Sequence, residues 1–166
     1  MEKYLQNLEV WCWRYKENTR NYPGLHFTAK PAACDAISGC LRQLRKEGDG
    51  ARRTIPLRPL KAEDEAKISG GQKYECFSRL RITIHAESDQ LRQMAFRVES
   101  SLVHLDFTER SMSGFEKGLS DVKAGRGDYA IEPEEDKEQG RRLGELERAS
   151  KCLWFWPCFG HLEVVS

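Results

Sequence analysis

Between Arg79 and Phe107 apolar and polar residues alternate. Leu80, Ile82 and Ile84 are interleaved with Arg79, Arg81, Thr83 and His85, as in a strand with one buried face. Met94, Phe96 and Val98 against Arg97 and Glu99, then Val103, Leu105 and Phe107 against His104 and Asp106, repeat the pattern. A two-residue connection at Ser100-Ser101 sets Val98 opposite Val103, Phe96 opposite Leu105 and Met94 opposite Phe107. All three pairs then share a face, so a hairpin in that register is predicted.

Elsewhere the period is helical. Pro31 suits a first helical position, where its missing N–H has no intrahelical partner. Ala33, Ile37, Cys40, Leu41 and Leu44 follow as one stripe opposed by Asp35, Arg42, Gln43 and Lys46, and Gly48-Asp49-Gly50 should end that helix. Thr108 or Ser111 can cap a second helix with Met112, Phe115, Leu119 and Val122 buried and Gly125 as its left-handed end. Leu5, Leu8, Trp11, Cys12 and Tyr15 also fall at helical spacing, which predicts a helix from Glu2 to Tyr22, although Val10 to Trp13 has strand propensity. Lys61 to Ile68 reads as a short helix closed by Gly70-Gly71.

The remaining segments are extended or charged. Leu25 to Thr28 and the Tyr129–Ile131 segment read as short strands. Pro56 and Pro59 make Ala51 to Leu60 a connector or an edge. Leu153 to Phe159 reads as a strand that Pro157 pushes to a sheet edge or a strand end. Residues 132–150 hold seven acids, four bases and two large apolar residues, a flexible charged excursion. Strands gather as hairpins rather than alternating with helices. The expectation is one α+β domain over residues 1–166, an antiparallel sheet with two to four helices packed mainly on one face.

Composition excludes more than it selects. With 166 residues, 39% of them apolar, the chain can build a core and is too apolar for disorder. Its 27 basic and 26 acidic residues leave +1, which argues against a strong polyanion binder. Residues 1–62 carry +6 and residues 63–166 carry −5. The basic excess, centred on Arg42, Arg45, Lys46, Arg52, Arg53 and Arg58, has no interleaved aromatic motif, so nucleic acid is disfavoured. No apolar run approaches a membrane span of ~20 residues, and Met1-Glu2-Lys3 leads into no signal-peptide core. Six cysteines without a Cys-x-x-Cys pair suit reduced thiols packed as small hydrophobes, hence a cytoplasmic location.

Most short motifs dissolve on inspection. Ile68-Ser69-Gly70-Gly71-Gln72 resembles the signature loop of ABC-type ATPases, yet the phosphate-binding G-x-x-x-x-G-K-[ST] is missing. Gly70-Gly71-Gln72 resembles the tripeptide of peptide release factors without their glycine-rich context or basic tail. Both reduce to a turn, as does Arg126-Gly127-Asp128 between a helix and a strand. No Gly-x-Ser-x-Gly elbow is present. Cys152, Cys158 and His161 could hold zinc with a fourth ligand such as Cys76, but their spacing is wider than structural sites prefer, and neither metal nor cofactor is expected.

Two surfaces remain. Trp154 and Trp156 share a face on a strand, where they either stack on a ligand or partner or complete the core. In the hairpin register Arg97 lies opposite His104, with Asp106 two residues on. His85, Arg81 and Arg79 join them if the Leu80 strand is a neighbour. The leading expectation is a non-enzymatic binding or interaction module for a protein partner or a small anionic ligand, using Arg81, His85, Arg97, Trp154 and Trp156. The alternative is a small hydrolase or transferase acting on an anionic substrate, with His104 and Asp106 for acid–base work and Arg97 and Arg81 as anion anchors.

Overall fold

A computed structural model describes residues 2–16, 23–69, 73–87, 94–127, 129–131 and 152–158. A 3-10 turn, Glu2–Leu5, precedes β1 (Val10–Tyr15), β2 (Leu25–Ala29), α1 (Pro31–Glu47) and β3 (Arg52–Pro56). Then come α2 (Ala62–Ser69), β4 (Tyr74–Cys76), β5 (Arg79–His85), β6 (Ala95–Glu99) and β7 (Leu102–Thr108). The described chain continues through α3 (Glu109–Lys123), β8 (Tyr129–Ile131) and β9 (Leu153–Phe155). The fold is α+β, with three α-helices among the described residues. It contains two mixed sheets, ordered β4-β1-β2-β9-β8 and β3-β5-β7-β6.

This corrects the single antiparallel sheet. Strand β9 runs parallel to β2, and β5 runs parallel to β7. Only Phe77 and Ser78 separate β4 from β5, yet the two strands pair in different sheets. A period of two reports which face is buried; it carries no information about the neighbouring strand or its direction.

The helix expected over Glu2 to Tyr22 is also corrected. Its described part is the 3-10 turn and β1, while residues 17–22 lie outside the described set. Val10 and Cys12 enter the main core, whereas Trp11 and Trp13 pack with Cys158 on the opposite face of the sheet. With both faces covered the strand shows no alternation, and its apolar spacing imitates a helix.

Elements with one buried face follow their sequence. Helix α1 begins at Pro31, buries Ala33, Ile37, Cys40, Leu41 and Leu44, and stops at Gly48 with φ +84°. Thr108 and Ser111 cap α3 reciprocally: each backbone N–H donates to the other's hydroxyl, at 2.9 and 3.2 Å. Gly125, with φ +71°, follows the helix. The β6–β7 hairpin has Phe96 opposite Leu105 and Val98 opposite Val103. Ser100 takes φ +54° at the first central position of the turn, a conformation that two-residue hairpin loops require there. Strand β3 is an edge of its sheet, as Pro56 implies, and Pro157 follows the end of β9. The charged stretch 132–150 lies outside the described residues.

The inner faces of both sheets share one core with α1 and α3. Arg45 forms a two-pronged bond to Glu116, both contacts at 2.8 Å, and Lys123 meets Asp35 at 2.6 Å, so the two helices are clamped at two points. Helix α3 approaches Phe155 so closely that a Cβ on Gly118 would lie 2.5 Å from the ring. Gly118→Ala should therefore destabilise the fold by about 1–3 kcal/mol in urea unfolding, since the ring is buried and has little room to yield. Combining it with Phe155→Leu should cost less than the sum of the two single changes; strict additivity would refute the clash.

Asp121 supplies a pH-dependent contribution. Its carboxylate accepts bonds from Lys117 at 2.7 Å and Arg126 at 2.9 Å, and these, Lys117 foremost, hold its pKa below the usual carboxylate value despite burial. A depressed folded pKa means stability that is present above the unfolded value of about 3.9 and lost as pH falls through the folded one. Chemical denaturation across pH 2–6 should show a shallower loss below pH ~4 for Asp121→Asn than for the unchanged chain. Parallel curves would remove Asp121 as a source.

Candidate functional site on the outer face of the four-stranded sheet

Because Leu80, Ile82 and Ile84 of β5 and Val103, Leu105 and Phe107 of β7 turn inward, the alternate residues of both strands face outward. Pairing sets them in rows across the sheet. One row reads Thr54, Arg81, His104, Arg97; the next reads Arg52, Thr83, Asp106, Ala95. Arg79, Leu102 and Glu99 form a third. The residues singled out from the β-pattern, Arg81, His85, Arg97, His104 and Asp106, thus lie on one surface.

Their contacts divide them into two groups. His104 is only 5% exposed, and its Nδ1 lies 3.2 Å from Arg97 Nη2. A guanidinium can only donate, so Nδ1 accepts and the ring proton sits on Nε2. That Nε2 is 3.3 Å from Glu99 Oε2 but out of line for a hydrogen bond, an electrostatic contact only. In the second group His85 Nε2 and Asp106 Oδ1 are 2.8 Å apart. Asp106 therefore pairs with His85 and not with His104. Two residues apart on β7, His104 and Asp106 are spaced by about 7 Å.

The face is basic and open. Arg79, Arg97, Arg52 and Glu99 are exposed. Arg81 Nε donates to Thr54 Oγ1 at 3.3 Å, and Arg97 lies 3.6 Å from Glu99. Among the described residues neither Arg52, Arg79 nor Arg81 forms an ion pair. Four guanidinium groups thus face two carboxylates, Glu99 and Asp106.

The tryptophans lie on the other sheet. Trp154 and Trp156 are half-buried, and their indole N–H groups donate to Pro23 O at 3.0 Å and to His26 Nδ1 at 2.8 Å. His26, wholly buried, is stacked between Trp13 at 5.4 Å and Trp156 at 5.9 Å, with Tyr15 edge-on at 4.9 Å. Sequence reasoning passed over His26; its one signal was its place between Leu25 and Phe27, on the face opposite theirs.

Four of the thiols are poor nucleophiles. Burial pushes the Cys34 thiol up to about 12 and the Cys40 thiol to about 11, and also raises Cys12 and Cys76. Cys152 and Cys158 are buried and not in disulfides, and His161 lies outside the described residues. No group of three or more potential metal ligands occurs among the described residues. Residues 70–72 and Asp128 also lie outside that set, and Arg126 is held by Asp121 at 2.9 Å. No helix of the described residues is long and apolar enough to cross a membrane.

Long-range ¹H–¹⁵N correlation spectra should show both His104 and His26 as Nε2–H tautomers, since Arg97 and Trp156 occupy the respective Nδ1 atoms. Arg97→Ala should release His104 to a tautomer mixture and leave His26 unchanged. An Nδ1–H His104 in the unchanged chain would break this picture of the site. Comparison of the chain with protein-family models, with curated proteins and with solved structures finds no match in any of the three.

Proposed function

We propose that the chain is a non-enzymatic binding module that takes an anionic group, carboxylate or phosphate, on the outer face of its four-stranded sheet. The carrying observation is that Arg79 and Arg81 flank the His104–Arg97 pair with no carboxylate of their own among the described residues. Guanidinium forks that lack an internal carboxylate suit a carboxylate or phosphate held by two N–H groups. The openness of the face supports binding over catalysis, because chemistry on a bound substrate calls for a cleft that excludes water. Six free thiols, most of them buried, support a reducing, cytoplasmic setting.

One observation favours the alternative of a hydrolase or transferase acting on an anionic substrate. The His85–Asp106 contact of 2.8 Å would orient an imidazole for proton transfer beside the arginines. In that reading His85, held by Asp106, takes the acid–base part that the sequence assigned to His104.

Titration with inorganic phosphate and with acetate should shift the His104 and His85 NMR signals saturably. Replacing Arg81 and Arg97 together by Ala should weaken the interaction about tenfold or more. Absence of any saturable shift would dispose of the binding reading. Turnover of a phosphate or carboxylate ester that disappears in His85→Ala would replace it with the enzymatic one.

A further inference from the structure

A second cluster of cationic donors lies away from that face. Arg14 turns toward the inner side of the five-stranded sheet, directly opposite Glu75 on β4. Its Nε donates to the Glu75 carboxylate, and its guanidinium lies 5.7 Å from the centre of the Phe77 ring. These two contacts fix the plane of the group while leaving both Nη nitrogens without a partner among the described residues. The Lys16 ammonium, two residues on, likewise has no partner among them. Both side chains line a cavity of about 390 Å³ with Tyr15, Pro23, Glu75 and Phe96. Phe96 comes from β6 of the other sheet, so the cavity lies where the end of β1 and the start of β2 meet the edge of the four-stranded sheet.

The volume falls within the range of small-molecule sites. Its chemistry is asymmetric: a guanidinium fork and an ammonium supply donors, Glu75 is already engaged by Arg14, and Phe96, Pro23 and Tyr15 supply an apolar wall. We infer that this cavity binds a small organic carboxylate with an apolar, preferably aromatic, body. The carboxylate would take the two free Nη groups of Arg14 end-on, with Lys16 adding charge, and the body would lie against Phe96. A cationic ligand of the same shape would meet two like charges, and a bare anion would leave the apolar wall uncovered. The inference does not depend on the anion face, from which it differs in sheet, residues and ligand shape.

Isothermal titration of the full chain with phenylacetate, acetate and benzylamine tests it. In the chain carrying both Arg81→Ala and Arg97→Ala, where the anion face is disabled, phenylacetate should bind saturably at one site, acetate about tenfold more weakly or worse, and benzylamine not at all. Lys16→Ala changes an exposed side chain and should weaken phenylacetate binding by about three- to tenfold. Arg14→Lys keeps the charge but removes the fork, and should weaken it about tenfold or more with the thermal unfolding midpoint unchanged. The unchanged chain should show this same phenylacetate affinity besides any carboxylate bound on the anion face, which separates the two sites. Failure of phenylacetate to saturate, equal binding of benzylamine, or full affinity in both Lys16→Ala and Arg14→Lys would overturn the inference.

Discussion

Phe115 of α3 lies 5.7 Å from Phe27, 5.5 Å from Phe155 and 5.1 Å from Phe107, ring centre to ring centre. Two of those partners belong to the five-stranded sheet and the third to the four-stranded one. Strand pairing does not unite the sheets, so their relation rests on side chains that touch both. A cluster of tilted and edge-on rings has a preferred geometry that a pool of aliphatic side chains lacks, and it sets the position of α3 as well as burying area. Gly118, one turn further along, lets the helix approach Phe155 at the required distance. On the other side, backbone bonds from Phe77 to Cys12 and from Arg58 to Val10 join the segments that link the sheets. The outer surface therefore inherits its geometry from a core that α3 holds in register.

With the inner faces committed, the two outer faces diverge. On the five-stranded sheet the outward residues are Trp11, Trp13, Tyr15, His26, Trp154 and Trp156, and the stretch ending at Leu60 packs over part of them. Within this aromatic layer Trp11 donates to Pro59 O at 3.3 Å, and Thr28 donates to Trp156 O at 2.8 Å. Trp11, Trp13 and Trp156 thus serve a second, smaller core. The four-stranded sheet carries arginines, histidines and carboxylates on its outward rows instead, several of them exposed. One sheet is covered on its inner face and over part of its outer face, and the other keeps a polar outer surface.

This difference also decided what could be read from the chain. Helices α1 and α3 and the β6–β7 hairpin each bury one face, so period and capping residues were enough to place them. The Arg97–His104 pair followed from the hairpin because its register is set locally by the turn. Strand β1 defeated the same reasoning because both of its faces are covered. The His85–Asp106 pair could not be read, since it depends on β5 lying parallel to β7, a choice made by the packing of the whole sheet. Arg14, Lys16 and Glu75 were missed for a similar reason. They lie at the ends of short strands and come together only through the pairing of β1 with a segment about 60 residues away.

The two groups of donors share a physical arrangement that separates them from the structural ion pairs. Arg45 gives both terminal nitrogens to Glu116 and ties α1 to α3, and Arg126 and Lys117 converge on one buried carboxylate at the end of α3. Arg14 and Arg97 are held in place and left with donors to spare: Arg14 by Glu75 and the Phe77 ring, Arg97 by the nearly buried His104 and by Glu99. A guanidinium oriented before a ligand arrives loses less rotamer freedom when it binds, so more of the interaction appears as affinity. Water solvates the unused N–H groups at modest cost in the free chain, and a carboxylate or phosphate can replace that water with two charge-assisted bonds at once. Partial fixation, rather than the number of basic residues, is what marks these positions in a chain whose net charge is only +1.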